Sequence, residues 1–391
     1  MNRQRSGLGR LLGWLEERLN LTEMLSLLSV YGLLYTEVDT HKPVRAALSE
    51  SVARPVPADS RVPRALGLLT VVLFLFELIT GTLLALYYQP TPEAAYASVR
   101  MIVRDVSLGW FMYQIHRWGA HVLLVVLLVR LVRFFYRGLY RAPRELLWMA
   151  AAGLFVLAAA LELTGRVLSW DSLSYWSTVR GLEILFTLPV VGEVAAFFLG
   201  GTDITGITLV RMYILHIALL PGLFTVFLYL SFSTTRRVGL SGAKAAVKNG
   251  RRFSYRAHLY NVAILITLMF AVLVTLAALR PVPFQAEADP YSTPAGVHPP
   301  WYFLAAYGFL EVFPGVIPRW MSAALLLAVL ILFLVLPFLE RRRVEGSSSP
   351  RRLALTVGTL IFLAWLGLMG TPLWGALVIS LIYGFVVFRW V

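Results

Sequence analysis

Of the 391 residues, 58% are hydrophobic and only 14% are charged; water-soluble domains rarely exceed about half apolar content, which excludes an ordinary soluble class. Cysteine is absent, so the chain itself holds neither disulfides nor cysteine-ligated clusters. The net charge of +14 is distributed in separate basic runs and not gathered into one patch, which argues against a nucleic-acid partner.

In chain order, "MNRQRSGLGRLLGWLEERLNL" is too interrupted by charge for a secretory segment. It predicts an amphipathic helix on the membrane surface, with Leu11, Leu12, Trp14, Leu15 and Leu19 as its apolar members. Residues 36–65, with scattered prolines and charges, predict a connector. Apolar runs follow at 66–88, 110–129, 147–168, 207–232, 259–279, 321–339, 353–370 and 374–388. Each approaches the roughly 20 residues needed to cross a bilayer. Arginine and lysine cluster after the second, fourth and sixth runs, as in Arg133, Arg137, Arg236, Arg237, Arg341 and Arg342. The alternate connections carry Asp171, Glu183, Glu193, Asp203, Glu287 and Asp289. The positive-inside rule then puts both termini in the cytoplasm. The long outer connections, 168–206 and 280–320, are rich in Trp, Tyr, Pro and Gly and predict short helices lying on the membrane surface. "RRVGLSGAKAAVKNGRR" forms a basic linker, and "EGSSSP" (345–350) a flexible loop.

The expected fold class is therefore an all-α integral membrane protein of about eight transmembrane helices. A cytoplasmic helix and connector (1–65) precede a four-helix bundle (66–235), the basic linker (236–257) and a second four-helix part (258–391).

Polar groups inside spans are costly and suggest function. His116, His121 and His216 lie within spans; the plain alternative for any one of them is a packed, hydrogen-bonded histidine. His116 falls seven residues past Gly109, and His216 ten past Gly206. At 1.5 Å per residue these depths are about 10 and 15 Å below one surface, where two facing imidazoles could ligate the iron of one heme. His121 is about 140° around the helix from His116 and faces elsewhere. Gly81 and Gly165 lie at a similar level and would leave room for a macrocycle, or else serve ordinary helix packing.

Several stretches carry a family resemblance: "WLEERL", "YYQPTPEAAYASV", "GWFMYQIHRW", "RAPRELLW", "LTGRVLSWDSLSYW", "TLVRMYILHIALLP" and "ADPYSTP…HPPWYF". Over nearly its whole length the chain resembles cytochrome b, the membrane subunit of cytochrome bc and bf complexes. It is closest to the plastid and cyanobacterial type, with the part equivalent to a separate plastid subunit fused at the C-terminus. The resemblance implies noncovalent heme b, quinone as substrate and, on the outer face, a Rieske-type iron–sulfur protein or cytochrome c. It also implies other membrane subunits, a homodimer and a prokaryotic inner membrane.

The family holds two hemes, with a second histidine fourteen or fifteen residues after the first on each ligand helix. Fourteen residues advance a helix about 21 Å and return nearly the same face. Here His116 and His216 match the first positions, but the second are Arg130 and Ser231. Gly67 and Gly81 keep the family's fourteen-residue spacing, whereas Gly165 has Ala151 fourteen residues before it. The expectation is one outer-side heme, ligated by His116 and His216, and no inner heme. Arg130 would occupy the lost ligand position, or simply extend toward cytoplasmic headgroups.

The family's Pro-Glu-Trp-Tyr motif at the quinol-oxidation site stands here as Pro299-Pro300-Trp301-Tyr302, without its proton-accepting glutamate. Glu162 replaces a family glycine; as a lone carboxylate deep in a span it suits a proton relay, or else a structural hydrogen bond or ion pair. Arg117 and Arg211 match basic positions near the outer heme. They are expected to pair with propionates, with interfacial anchoring the alternative for Arg211. The implied function is electron transfer between membrane quinone and an outer-face partner, without a complete transmembrane electron path. A non-redox membrane scaffold or quinone-binding anchor of a larger respiratory complex is the competing reading.

Overall fold

The computed structural model describes residues 43–53, 55–57, 61–240, 252–303 and 318–339. The surface helix expected near the N-terminus, the "EGSSSP" loop and the runs at 353–370 and 374–388 lie outside these residues. The described elements are α1 (Val44–Ala53), β1 (Pro55–Pro57), α2 (Arg61–Ala85), α3 (Pro92–Arg104), α4 (Gly109–Tyr136) and α5 (Glu145–Val167). They continue with α6 (Ser172–Phe186), α7 (Val191–Leu199) and α8 (Gly206–Val238). After these come β2 (Arg252–Ser254), α9 (Tyr255–Leu279), a 3₁₀ turn (Trp301–Phe303) and α10 (Arg319–Leu339). Among the described residues, six helices are long and apolar enough to span a membrane: α2, α4, α5, α8, α9 and α10.

Two compact units divide the chain, and the long helices contribute segments to both. The first comprises the described residues within 43–76, 125–154 and 225–274. Its core contains Leu73, Leu127, Phe134, Leu147, Trp148 and Leu228, with Tyr140 edge-on to Trp148 at 5.7 Å. The expected connector is more ordered than its composition suggests. α1 forms within it, and β1 pairs antiparallel with β2 in the register Val56↔Phe253. Proline lacks an N–H for an inner ladder but is tolerated on a two-strand edge.

The second unit comprises the described residues within 77–124, 155–224 and 275–339. Its core gathers Ala95, Leu163, Val167, Trp170, Tyr175, Leu182, Leu209 and Met212. The first long connection folds into α6 and α7, as expected. Asp171 caps α6 by accepting from the Ser174 N–H at 3.2 Å. α3 was not anticipated, although its start carries Pro92 and Glu93 and its last turn Arg104. In the second long connection, the described stretch 280–300 contains no helix. Hydrogen bonds tether it instead: Gln114 exchanges two with Val282, Trp118 donates to the Arg280 carbonyl, and Ser172 N–H donates to the Ala286 carbonyl.

The exposed faces are apolar where lipid would lie. α9 buries Val262, Met269 and Leu273 while exposing Tyr260, Ile264, Leu268 and Val272. A helix apolar on every side, with one stripe packed and the other exposed, is the form expected of a membrane span.

Candidate functional site

α4 and α8 bring His116 and His216 together. Their ring centres are 6.2 Å apart and their planes nearly perpendicular, at 89°. His216 lies in a five-residue π turn, Leu215–Leu219, just before Pro221. Proline cannot donate the next helical hydrogen bond and crowds the carbonyl four residues earlier; a wider turn absorbs that mismatch.

Each imidazole is held through Nδ1. His116 Nδ1 lies 3.0 Å from Glu77 Oε2 and 2.9 Å from Thr80 Oγ1. His216 Nδ1 lies 3.0 Å from the Leu161 carbonyl and 3.3 Å from Thr164 Oγ1. A proton on Nδ1 leaves the Nε2 lone pair of each ring available for a metal. Metal–imidazole bonds of about 2 Å separate opposed donor nitrogens by about 4 Å, and the ring radii account for the rest of the observed spacing. The pair therefore fits bis-histidine heme iron.

The two glycines do their work against the imidazoles. A Cβ at Gly81 would stand 3.1 Å from His116 Cε1, and one at Gly165 only 2.5 Å from His216 Cε1.

Glu162 is not the lone carboxylate expected. It is buried, pairs with Arg166 one turn along α5, and accepts from the Tyr302 hydroxyl. His121 Nε2 stands 4.0 Å from Glu162 Oε1, and Trp301 Nε1 donates to His121 Nδ1 at 3.4 Å. The altered motif thus engages both groups: Tyr302 meets the carboxylate and Trp301 the histidine. Pro299 and Pro300 are buried beside them. Burial first, and then the Glu162 carboxylate, push the Tyr302 phenol well above its ordinary range, so it remains a hydrogen-bond donor.

The two arginines assigned to propionates have protein acceptors. Arg117 donates to Ser169 Oγ at 3.1 Å and to Tyr113 Oη at 3.4 Å. Arg211 donates to the Phe197 and Phe198 carbonyls at 2.7 and 3.2 Å, capping the end of α7.

In the first unit, Arg130 does not extend outward. It is 3% exposed and turns in to Ser231 Oγ, with its guanidinium 5.2 Å from the Phe134 ring centre. Among the described residues, its Nε and Nη1 have no hydrogen-bond partner. Ser231 and Ala151 are buried as well.

Sequence reasoning missed Glu77, Thr80 and Thr164, and His121 was not connected to Glu162. Glu77 did leave a signal: an acidic residue within an apolar run, four positions before Gly81 and so on the same helix face.

Residues 52–239 match the family model for cytochrome b/b6/petB, and residues 287–388 that for cytochrome b(C-terminal)/b6/petD. The chain is 32% identical over 304 residues to a cytochrome bc complex cytochrome b subunit of Chlorobaculum thiosulfatiphilum, covering 75% of this chain and 69% of that protein. It is 40% identical over 197 residues to cytochrome b6 of Heliobacterium mobile, covering 50% of this chain and 92% of that protein. Among solved structures, a chain of a hyperthermophilic respiratory complex III aligns with a TM-score of 0.70 at 23% identity. That alignment covers 97% of this chain and 96% of the other, a likeness of fold.

Proposed function

The chain belongs to the cytochrome b family of bc and b6f-type complexes, and from that premise we propose that it carries a single b heme and transfers electrons between membrane quinone and an outer-face redox partner. Family membership makes it an integral multi-pass membrane subunit of an electron-transfer complex working with quinone. The rest of this reading stands on the site.

The observation that carries it is the His116–His216 pair, 6.2 Å apart with Nδ1 of each ring engaged. His116 and His216 would hold the iron, with Gly81 and Gly165 giving their rings room. A b heme bound there supplies reversible one-electron storage. Arg130 and Ser231 stand where a second ligand pair would be needed, and neither side chain is a heme ligand. With one heme, electrons have no evident route to the cytoplasmic side, and a proton-pumping cycle that depends on that route is absent.

Quinol oxidation releases two electrons and two protons. Pro299, Pro300, Trp301 and Tyr302 border the quinone pocket, and Glu162 receives a proton in place of the motif's missing acid. The Tyr302–Glu162 hydrogen bond and the nearby His121 support that assignment. The proposed redox partner is a Rieske-type iron–sulfur protein or cytochrome c on the outer face. The subunit works beside other membrane subunits, as a homodimer, with both termini cytoplasmic in a prokaryotic inner membrane. A non-redox scaffold would have no need for two imidazoles with their Nε2 atoms both left available.

The test is heme per polypeptide in the purified chain, by alkaline pyridine difference spectra of wild type and His216→Ala. One noncovalent heme, lost in the variant, is expected. Two hemes would overturn the single-site reading, and none would leave the scaffold.

A further inference from the structure

The two imidazoles of the site are supported unequally. His216 Nδ1 faces neutral acceptors, the Leu161 carbonyl and Thr164. His116 Nδ1 faces a carboxylate, Glu77 Oε2, at 3.0 Å. Glu77, Thr80 and Gly81 lie at i, i+3 and i+4 on α2, so one helix face supplies the carboxylate, a hydroxyl and the room for the ring.

The space for that carboxylate is built into the facing helix. A Cβ at Gly119, three residues after His116, would stand 1.8 Å from Glu77 Oε1. Oε1 is buried and has no hydrogen-bond partner among the described residues. A carboxylate within a membrane span is costly, and the His216 side demonstrates that a neutral carbonyl suffices to orient a ligand ring. Orientation alone therefore does not account for an acid at position 77.

We infer that Glu77 is a positioning residue that tunes the heme: its carboxylate accepts the His116 Nδ1 proton, strengthens that imidazole as a donor and favours the oxidised iron. The inference rests on the single-heme reading above. The chemistry is general. A carboxylate on the outer nitrogen of a metal-bound histidine fixes the tautomer and raises ligand basicity. Adding an electron at the iron is then opposed both by the stronger donor and by the nearby negative charge. The two sides of the site acquire different roles: His216 is anchored to backbone, and His116 sets the potential.

The experiment is a mediated redox titration of the heme absorption band in the purified full-length chain, with heme per polypeptide measured on the same samples. Glu77→Gln keeps the shape and removes the charge. It is expected to retain heme and to shift the reduction equilibrium about tenfold toward the reduced form, or about 59 mV for one electron. Thr80→Val, which removes the competing hydroxyl, is expected to shift it less than threefold. Retained heme with an unchanged potential in Glu77→Gln overturns the inference, as does a Thr80→Val shift as large as that of Glu77→Gln. Should Glu77→Gln hold no heme, Glu77→Asp decides: withdrawing the carboxylate by one methylene is expected to raise the potential, and an unchanged value overturns the inference. A wild-type chain without heme would sink the single-heme reading itself, and this inference with it.

Discussion

His216 stands against Gly165 so closely that a single added methyl group would collide with its ring: an ideal Cβ there lies 2.5 Å from His216 Cε1. The equivalent approach at Gly81, to His116, is looser at 3.1 Å. The His116 ring, against α2, and the His216 ring, against α5, are thus wedged to different degrees.

That difference ranks two substitutions. Gly165→Ala is expected to lose most of its heme, because the imidazole must leave its position before the methyl group fits. Gly81→Ala needs only a few tenths of an ångström and is expected to keep most of it. Heme per polypeptide of the two variants checks the order; equal retention would contradict it.

Arg130 and Ser231 should respond in opposite directions. Arg130→Met removes a buried guanidinium with two nitrogens unpartnered among the described residues and is expected to leave the protein at least as stable to heat, since apolar replacement of buried charge is often neutral or favourable. Ser231→Ala leaves that guanidinium without its hydroxyl acceptor and is expected to cost about 1.5–3 kcal/mol. Thermal unfolding in detergent is the measurement, and neither variant should change heme content.

Substitutions at Glu162 and Tyr302 are expected to separate heme binding from quinol chemistry. Glu162→Gln is expected to lower quinol oxidation by about 10²-fold or more, the usual worth of a positioned acid–base group, with heme per polypeptide unchanged. Tyr302→Phe removes one donor to the carboxylate and should cost less. Unimpaired turnover in Glu162→Gln would remove it from proton handling.

Arg211 should matter for α7 and not for the heme. Its guanidinium sits on the Phe197 and Phe198 carbonyls at the helix end, a C-terminal contact worth about 0.3–1 kcal/mol. Arg211→Ala is expected to speed amide exchange in the last turn of α7 while heme content stays the same. Loss of heme would instead favour propionate pairing.

What was legible in the sequence were the features that depend on neighbours along the chain. Hydropathy over some twenty residues located the six spans seen among the described residues, because a helix must satisfy its own backbone in lipid. Helical pitch put His116 and His216 at similar depths, and the family resemblance marked Arg130 and Ser231 as departures one repeat later. The tertiary structure decided the partners. Tyr302 reaches Glu162 across 140 residues of sequence, turning an expected lone carboxylate into the centre of a hydrogen-bonded group. Glu77 meets His116, and Arg130 turns inward to Ser231 instead of outward to headgroups. The physical reason is that periodicity specifies which face of a helix a residue occupies. Which side chain that face meets depends on how helices distant in sequence pack against one another, and a single-chain pattern carries no measure of that distance.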